Sequence, residues 1–517
     1  MHEAILSARR SQPVLIPGDW TAEDRKHTHP PKGGQLVRVR VSYELLPYER
    51  EFLTREIEAL GGRVVRRTSA FSTLVEGLPP ERARLLTYGS QVVYPGSQSV
   101  ATIQSLRERS GWSQKQDTRY GPHSIHQYKG KFHPQTPRSL ILQHEWDADL
   151  PILDPFAGTG TTLVEARGLG YTSEGVELNP LAVMVARARL AWEEPPSDGP
   201  PSIAEIEAAE PTCWDPGVES YLARWFPYRT LQDIKQGLGA ITGMAPNDAL
   251  VARALLSNLL RSYSWQDPGD LRIHRRAVIP HMPPLLQAFA RAIDLEWDRR
   301  KRWIDAGLSS SECRATISLG DSRRISQVRG LGRVSGSVTS PPYASALPYV
   351  DTYRLSLVAL GLSRPEELGG MEYETIGGRD VESDDRERFE DRLEGLPIGS
   401  RSLISDVVRR LVDDKAAGFR RRAVPFALAR YLVQMREVIR ELRLLEGEDA
   451  PNLWVVGPNS TTIRSERVSI PTPALVGELA VAEGFRCVTL RKLDAFQRFG
   501  VHSKNAIREE TLVSFRG

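Results

Sequence analysis

The stretch PILDPFAGTGTT, residues 151–162, has the pattern of one strand–turn–helix unit of an open α/β sheet. Its apolar start predicts a strand over 151–156, which leaves Asp154 at the carboxyl end. The small residues 157–160 allow a tight turn, and the helix is predicted to begin at Thr161. Ligands bind at such strand ends in open α/β sheets, because glycines there let the backbone approach the ligand closely. The stretch therefore predicts an α/β fold and one ligand site.

The next predicted strand, 172–178, carries Glu177 near its end, about 20 residues after Asp154. An acidic side chain at this place grips ribose hydroxyls in nucleotide-binding α/β folds. Asn179 and Pro180 predict the cap and the first turn of the following helix. The turn sequence GTGTTL lacks the G-x-G-x-x-G spacing of dinucleotide-binding folds. The pattern thus favours a ligand that contains ribose but lacks the pyrophosphate of a dinucleotide.

A second informative stretch is TSPPY, residues 339–343, which follows the small apolar run 334–338. This pattern predicts the end of a buried strand that opens onto a rigid polar turn. Two consecutive prolines cannot continue a sheet ladder and they fix their own φ, so the carbonyl groups of the turn point in fixed directions. Such a turn suits a site that must hold an amino group.

Together the two stretches resemble the motifs of one enzyme family, the S-adenosylmethionine-dependent amino-methyltransferases of nucleic-acid bases. TSPPY is similar to the (S/T/D)PPY catalytic motif, and DPFAGTGTT is similar to the cofactor motif DPF-x-G-x-G-T-T. The resemblance covers about 128–190, 315–362 and 427–516. It implies an α/β fold with a Rossmann-like, seven-stranded methyltransferase sheet whose last strand is antiparallel. The implied cofactor is S-adenosyl-L-methionine, and the implied partner is double-stranded DNA with its target base flipped, with RNA as the alternative.

The resemblance also implies the roles of the catalytic turn. The Ser340 hydroxyl and the Pro341 carbonyl would accept hydrogen bonds from the target amino group. Pro342 completes the rigid turn, and Tyr343 would stack on the flipped base. This chemistry requires no covalent intermediate and no metal.

For the cofactor, the resemblance implies a set of binding residues around the predicted strand ends. Asp154 would accept from the methionine ammonium group, Glu177 from the ribose, and Asp321 from the adenine amino group. The amino end of the helix that begins at Thr161 would face the methionine carboxylate. The complete predicted set is His133, Pro134, Asp154, Phe156, Gly158, Gly160, Thr161, Thr162, Glu177, Asn179, Asp321 and Thr339.

The target base is less constrained than the chemistry. A serine before the two prolines, with Thr339 before it, resembles cytosine 4-amino enzymes more than adenine enzymes, although the cofactor motif precedes the catalytic motif, unlike most TSPPY enzymes. A cytosine-N(4)-specific DNA methyltransferase is therefore expected. Adenine 6-amino methylation of DNA, guanine 2-amino methylation of tRNA and a non-catalytic binding subunit stay as alternatives. Carbon-5 methylation is rejected because Cys213, Cys313 and Cys487 follow Thr, Glu and Arg rather than proline.

Composition is that of an ordinary globular protein. The 517 residues are 40% hydrophobic and 26% charged, which predicts two or three domains. No apolar run approaches the length of a membrane span, so we expect a cytoplasmic protein without membrane contact. The net charge of +3 does not by itself indicate a nucleic-acid binder, but Arg409, Arg410 and 420–422 form a local cluster. That cluster is either a solvated helix face or a nucleic-acid contact.

The predicted organisation has five parts. An irregular arm over 1–35 precedes a small α+β module over 36–110, for which packing, dimerisation and RNA binding are open interpretations. The catalytic domain is predicted from three segments, 120–190, 311–362 and 425–517. Two insertions interrupt it: a helical one over 191–310, for target recognition or oligomerisation, and a charged one over 363–424, for target recognition. The sequence does not decide which insertion reads the target, nor the oligomeric state.

Overall fold

The computed structural model describes residues 34–109, 119–270, 273–309, 313–344, 348–378, 380–414, 417–464, 466–494 and 509–517. The predicted arm, 1–35, lies almost entirely outside these residues. The strands are β1 (Leu36–Arg40), β2 (Arg63–Ser69), β3 (Ser72–Glu76), β4 (Gln91–Val93), β5 (Ser99–Ala101), β6 (Ile152–Asp154), β7 (Ser173–Glu177), β8 (Ala315–Leu319), β9 (Gly336–Thr339), β10 (Pro451–Val456), β11 (Asn459–Ile463), β12 (Glu466–Ile470), β13 (Arg486–Asp494) and β14 (Glu509–Arg516).

The helices fall into two groups along the chain. Those before the third strand of the central sheet are α1 (Pro47–Ala59), α2 (Pro80–Ala83), α3 (Ile103–Arg109), α4 (Gln135–Leu142), α5 (Thr161–Arg167), α6 (Pro180–Trp192), α7 (Ile203–Ala208), α8 (Pro216–Ala223), α9 (Tyr228–Thr242), α10 (Pro246–Leu260) and α11 (Leu285–Asp305). Those after it are α12 (Tyr349–Ala359), α13 (Leu368–Glu374), α14 (Ser383–Glu387), α15 (Phe389–Glu394), α16 (Ile398–Val412), α17 (Phe419–Leu445) and α18 (Thr472–Ala482).

A mixed sheet of seven strands forms the centre of the protein, in the order β13-β14-β10-β9-β6-β7-β8. The five strands from β10 to β8 are parallel, and β14 runs antiparallel to both β10 and β13. The predicted Rossmann-like sheet, including its antiparallel last strand, is therefore confirmed as a fold. Parallel strands place all their carboxyl ends at one edge, and this edge holds the ends of β6, β7 and β9.

Close packing in this sheet depends on a glycine at the start of β9. Gly336 has a φ of +140°, and a Cβ on it would lie 2.3 Å from the Pro451 carbonyl oxygen. The adjacent strand β10 is buried at all six positions. A side chain at position 336 would therefore push β9, which leads into the TSPPY turn, away from its neighbour β10.

The N-terminal module contains an antiparallel sheet of order β2-β3-β1-β4-β5. Its core is continuous with the central sheet, because Phe52 and Val39 belong to the same buried cluster as Ile152 and Leu453. A buried ion cluster adds a second connection: the Glu165 carboxylate in α5 accepts from the Arg107 guanidinium in α3 at 2.8 Å. Removing one partner from a buried cluster of this kind leaves an uncompensated charge, so the module and the sheet stabilise one another.

The helical insertion is predicted over 191–310, and helices α7 to α11 are found there. They pack against α6 and α12 in one large apolar core, in which Trp303 contacts Trp192 edge to face at 5.4 Å between ring centroids. Its polar groups are also paired internally, as with Arg300 and Asp248 at 2.6 Å.

The charged insertion, 363–424, holds α13 to α16 and the first residues of α17. The sequence did not predict the hairpin β11–β12, which packs Ile463 and Val468 against Val407 and Leu411 of α16.

Across the described part of the chain, no helix is long and apolar enough to cross a membrane.

Candidate functional site

A cavity opens at the carboxyl ends of β6 and β7, where the sequence predicts the ligand. It encloses about 910 Å³ of space, including its mouth. Most of the predicted cofactor residues lie together in its wall, and the TSPPY turn closes one side. The predicted residues in the wall are Asp154, Phe156, Gly158, Thr161, Glu177, Asn179, Asp321, Ser340 and Pro342.

Asp154 is buried at the end of β6 and connects the two motifs. Its Oδ1 accepts a hydrogen bond from the Phe156 amide at 3.1 Å and from the Thr339 hydroxyl at 2.6 Å. Burial disfavours the charged form and raises the pKa of Asp154 to about 6, although these hydrogen bonds act in the opposite direction. Thr339 does not line the cavity; its hydroxyl group holds Asp154 in place through this hydrogen bond.

Glu177, at the end of β7, fixes the turn between β6 and α5. Its Oε2 accepts from the Gly158 amide at 2.9 Å, and its Oε1 accepts from the Asn179 amide at 2.8 Å. Burial raises the pKa of Glu177 to about 7, and the nearby charge of Asp154 adds to that rise. Asn179 in turn caps α6, because its Oδ1 accepts from the Leu181 amide at 2.9 Å.

The glycines of the turn are required by the backbone and by packing. Gly158 has a φ of +50° and Gly160 a φ of +75°, both in the left-handed region. A Cβ on Gly160 would also lie 2.9 Å from the Cβ of Ala186 in α6. Gly160 and Thr162 therefore support the site from behind, since neither is part of the cavity wall.

Arg189 supports the same turn and was not predicted. Its buried guanidinium, on α6, donates to the Thr159 carbonyl at 2.8 Å and to the Thr159 hydroxyl at 2.6 Å. Burial lowers the pKa of Arg189 to about 9. The available signal was a pair of arginines in the otherwise apolar helix sequence PLAVMVARARLAW.

Asp321 follows β8 and lies in the cavity wall. Its Oδ1 accepts from the amide and the Nε of Arg323, each at 2.9 Å, and the same guanidinium contacts Glu374 at 2.6 Å. The Ser322 hydroxyl donates to the Pro155 carbonyl, which ties the loop after β8 to the first motif.

The segment before the first motif contributes differently from the prediction. The wall is formed by Tyr128, 130–131 and Phe132, whereas His133 and Pro134 are not part of it. Pro134 is the residue before α4, a helix buried along its whole length, so the chain leaves the cavity at this point. Tyr128 is held by a parallel stack on Tyr353, with ring centroids 4.6 Å apart.

The TSPPY turn presents Ser340 and Pro342 to the cavity, with Tyr349 beside them. Pro341 is buried. Tyr343 lies outside the cavity wall, and its hydroxyl donates to Oε1 of Glu510 in β14 at 2.6 Å.

The ring of Tyr343 fits closely over the backbone after β10. A Cβ on Gly457 would lie 2.4 Å from Cε2 of the tyrosine. Burial and the neighbouring Glu510 carboxylate raise the pKa of Tyr343 well above its usual value, so this side chain stays neutral. The Tyr343 end of the turn is therefore held by Glu510 and by packing on Gly457, and the Thr339 end is held by Asp154.

The cavity combines buried carboxylates, strand-end amides and aromatic rings from Tyr128, Phe132, Phe156 and Tyr349. Carboxylates with raised pKa values are well suited to bind an ammonium group or sugar hydroxyls, because such a partner compensates their burial. The donor and acceptor set fits a nucleoside that carries a positively charged amino-acid chain.

These features define a class: an α/β protein with an acidic, partly aromatic cavity at the strand ends and an SPPY turn beside it. No protein-family model matches the chain. It is 40% identical over 78 residues to the Type II methyltransferase M.MjaII of Methanocaldococcus jannaschii, a match covering 15% of this chain and 14% of that protein. It is also 22% identical over 426 residues to the Type II methyltransferase M.AvaI of Nostoc sp., covering 74% of this chain and 84% of the relative, and equally similar to M.AvaI of Anabaena variabilis.

Proposed function

We propose that this protein is a site-specific DNA methyltransferase that transfers a methyl group from S-adenosyl-L-methionine to the exocyclic 4-amino group of cytosine. One observation carries the proposal. The hydrogen bond between Thr339 and Asp154 joins the two sequence motifs, so Ser340 and the acidic strand ends face one cavity. The similarity to two Type II methyltransferases supports the same class of reaction.

The cavity offers a matching group for each part of the proposed cofactor. The Asp154 carboxylate accepts from the methionine ammonium, Glu177 accepts from the ribose hydroxyls, and Asp321 accepts from the adenine amino group. The amide groups at the start of α5 face the methionine carboxylate. Phe132 and Phe156 offer apolar faces to the adenine ring. The bound cofactor supplies an electrophilic methyl group on a positively charged sulfur.

In this mechanism the protein changes the electronic state of the target amino group. An exocyclic amino nitrogen is a weak nucleophile, because its lone pair is delocalised into the base. The Ser340 hydroxyl oxygen and the Pro341 carbonyl oxygen accept hydrogen bonds from its two N–H groups, which localises the lone pair on the nitrogen. The rigid double proline keeps both acceptors in place, so that orientation contributes to the rate. Tyr343 packs on the flipped base.

Cytosine is the proposed target because Ser340 follows Thr339 and precedes the prolines. Adenine 6-amino methylation would use the same acceptors and the same cofactor cavity. Guanine 2-amino methylation of tRNA is the next alternative, and it needs the module at 36–110 to bind RNA. A non-catalytic subunit that binds cofactor and DNA without turnover is the alternative from another functional class.

The test identifies the methylated nucleoside directly. Purified protein is incubated with tritiated S-adenosylmethionine and, separately, with unmethylated genomic DNA and bulk tRNA; each product is digested and separated with mass detection. Label in N(4)-methylcytosine from DNA is the expected result, and N(6)-methyladenine would correct only the base. Label in tRNA guanosine would replace DNA by RNA as substrate, and cofactor binding without any label would contradict catalysis.

The variant that tests the role of the turn in this assay is Tyr343→Ala. This variant should bind S-adenosylhomocysteine as the wild type does, because Tyr343 lies outside the cavity wall, while methyl transfer falls below detection. Activity retained in this variant would contradict the assignment of the turn.

A further inference from the structure

A second, larger cleft lies on the other side of the TSPPY turn. It encloses about 1830 Å³ of space, including its open side. One wall comes from Ala344, Pro348, Asp351, Glu372, 380–381 and Arg386, and the other comes from the start of α17 and the hairpin β11–β12. The Asn459 side chain donates to the Ala344 carbonyl, which joins the hairpin to the residue after Tyr343. The cleft therefore begins directly beside the catalytic turn.

Three arginines line this cleft: Arg386, Arg420 and Arg421. Most arginines of the charged insertion and of α17 contact a carboxylate; examples are Arg430 with Asp385 at 2.6 Å and Arg440 with Glu483 at 3.0 Å. By contrast, Arg386, Arg420 and Arg421 are exposed, and none makes an ion pair within the described residues. Three arginines that have no ion-pair partner among the described residues thus line the cleft.

The cleft also holds an exposed aromatic ring and several acidic groups. Phe419 is 77% exposed and Arg420 stacks over it at 5.5 Å, while Arg386 stacks over Phe426 at 4.9 Å. The acidic residues are Asp351, Glu372 and Asp380. Asp351 contacts Arg354 at 3.6 Å, and the Glu372 carboxylate accepts a hydrogen bond from the Val350 amide at 2.9 Å, so both acidic groups have a partner on α12.

The helical insertion has none of these features on this side. Its described residues, 191–270 and 273–309, contribute no side chain to the cavity or to the cleft. Its aromatic residues Phe226, Trp297 and Trp303 are instead buried in a core shared with α6 and α12. Of the two insertions, only the charged one adjoins the turn and leaves arginines uncompensated there.

We propose that this cleft binds the phosphate backbone of DNA next to the flipped nucleotide, through Arg386, Arg420 and Arg421, with Phe419 packing on an adjacent base. The proposal rests on the proposed function for the identity of the nucleic acid. Arginine binds phosphate oxygens in a planar, two-pronged geometry, and each neutralised phosphate releases counterions. An exposed aromatic ring beside arginines provides a stacking surface that does not depend on sequence. The charged insertion and the hairpin β11–β12 are then the target-recognition elements.

The first experiment compares two double variants that remove the same charge. Arg420→Gln with Arg421→Gln alters the cleft, whereas Arg409→Gln with Arg410→Gln removes two exposed arginines of α16 that already contact Asp406 and do not line the cleft. Fluorescence anisotropy measures binding of a labelled random-sequence duplex of about 40 base pairs and, separately, of labelled tRNA, over about 50 to 200 mM salt. Calorimetry with S-adenosylhomocysteine checks that each variant folds with an intact cavity.

The expected result is specific to the cleft pair. Its affinity for the duplex should fall at least about tenfold, and the slope of log Kd against log salt should decrease by about 2, because two phosphate contacts are lost. The control pair should change affinity less than about twofold, because its charges are already paired. Phe419→Ala should weaken binding with the salt slope unchanged, since a stacking contact releases no counterions.

Several outcomes would overturn the proposal. Wild-type affinity in the cleft pair, or equal losses in the two pairs, would exclude a phosphate contact at these arginines. A loss confined to labelled tRNA would assign the cleft to RNA instead of DNA. Failure of the proposed function is visible separately: wild-type protein that binds the duplex through these arginines but transfers no label would contradict methyl transfer alone.

Discussion

The cavity at the ends of β6 and β7 and the neighbouring cleft share the TSPPY turn as a boundary, yet their charged groups differ: the charged residues of the cavity wall are mainly acidic, whereas the cleft combines acidic residues with three exposed arginines. The cavity contains buried carboxylates, and burial raises the pKa of Asp154 to about 6 and that of Glu177 to about 7. The cleft contains exposed arginines without ion-pair partners in the described residues, among them Arg420 and Arg421. A small cation and a polyanion would therefore be bound on opposite sides of one turn. The difference shows how two ligands of opposite charge can bind on the two sides of one turn.

The largest expected effect is on the cavity. In Asp154→Asn, the Oδ1 position can still accept from Thr339 and Phe156, but the negative charge is lost. A charge-assisted hydrogen bond contributes about 1.5 to 3 kcal/mol, so affinity for S-adenosylmethionine should fall about 10- to 100-fold. Duplex affinity should stay within about twofold, because the side chain does not reach the cleft. Calorimetry measures the affinity for S-adenosylmethionine, and anisotropy measures the duplex affinity of the same preparation. Equal losses of the two affinities would contradict the separation of the two sites.

The same variant should gain stability at high pH. The folded pKa of Asp154 is above the unfolded value, so ionisation favours the unfolded state, and stability falls as pH rises from about 4 to about 6. A pKa rise of about two units corresponds to about 3 kcal/mol at most. The urea midpoint of Asp154→Asn should exceed that of the wild type at pH 8, and the difference should vanish towards pH 4. A lower midpoint at pH 8 would show that the carboxylate is stabilising.

Salt should affect the two ligands differently. Duplex affinity should fall at least about tenfold between about 50 and 200 mM salt, since phosphate neutralisation releases counterions. Affinity for S-adenosylmethionine should change less than about twofold, because the carboxylates proposed to bind it are buried and weakly screened. Comparable salt dependence for both ligands would contradict the assignment of charge to separate sites.

A change of pH should have the opposite pattern to a change of salt: it should alter the affinity for S-adenosylmethionine and leave the duplex affinity unchanged. Ionised Asp154 and Glu177 would bind an ammonium group and hydroxyl groups more strongly than the protonated forms, and burial raises both pKa values. S-adenosylmethionine affinity should therefore weaken about tenfold as pH falls from about 7.5 to about 6, while duplex affinity stays constant, because arginine remains charged. A flat profile for the cofactor would sink this interpretation.

The smallest effect concerns the shared turn itself. Glu510→Gln keeps an acceptor for the Tyr343 hydroxyl, whereas Glu510→Ala removes it. Single-turnover methyl transfer should fall about tenfold in the alanine variant and about twofold in the glutamine variant, with both affinities unchanged. A glutamine variant as slow as the alanine one would indicate that the carboxylate charge, and not the position of the ring, is what matters.

Much of the sheet and the cavity follows from local sequence. Apolar runs that end in Asp154, Glu177 and Asp321 specify parallel strands with acidic ends, and a parallel sheet brings all such ends to one edge. The cap by Asn179 follows from its place before Pro180. These features depend on backbone preferences within a few residues.

The support around the site could not be predicted in this way. Arg189 reaches the turn from the next helix, and Glu510 meets Tyr343 across 167 positions of chain. The wall contains Phe132 rather than His133, because the chain turns into the buried helix α4 at this point.

The arginine cluster shows the same limit. From sequence, Arg409, Arg410 and 420–422 formed one charged stretch, which was either a solvated helix face or a nucleic-acid contact as a whole. In the structure, Arg409 and Arg410 contact Asp406 one helical turn away, while Arg420 and Arg421 line the cleft beside the TSPPY turn. Sequence alone determined which residues are charged and which strands end in carboxylates. Only the tertiary structure decided which charges are compensated, because that depends on partners brought close by packing and not by neighbourhood along the chain.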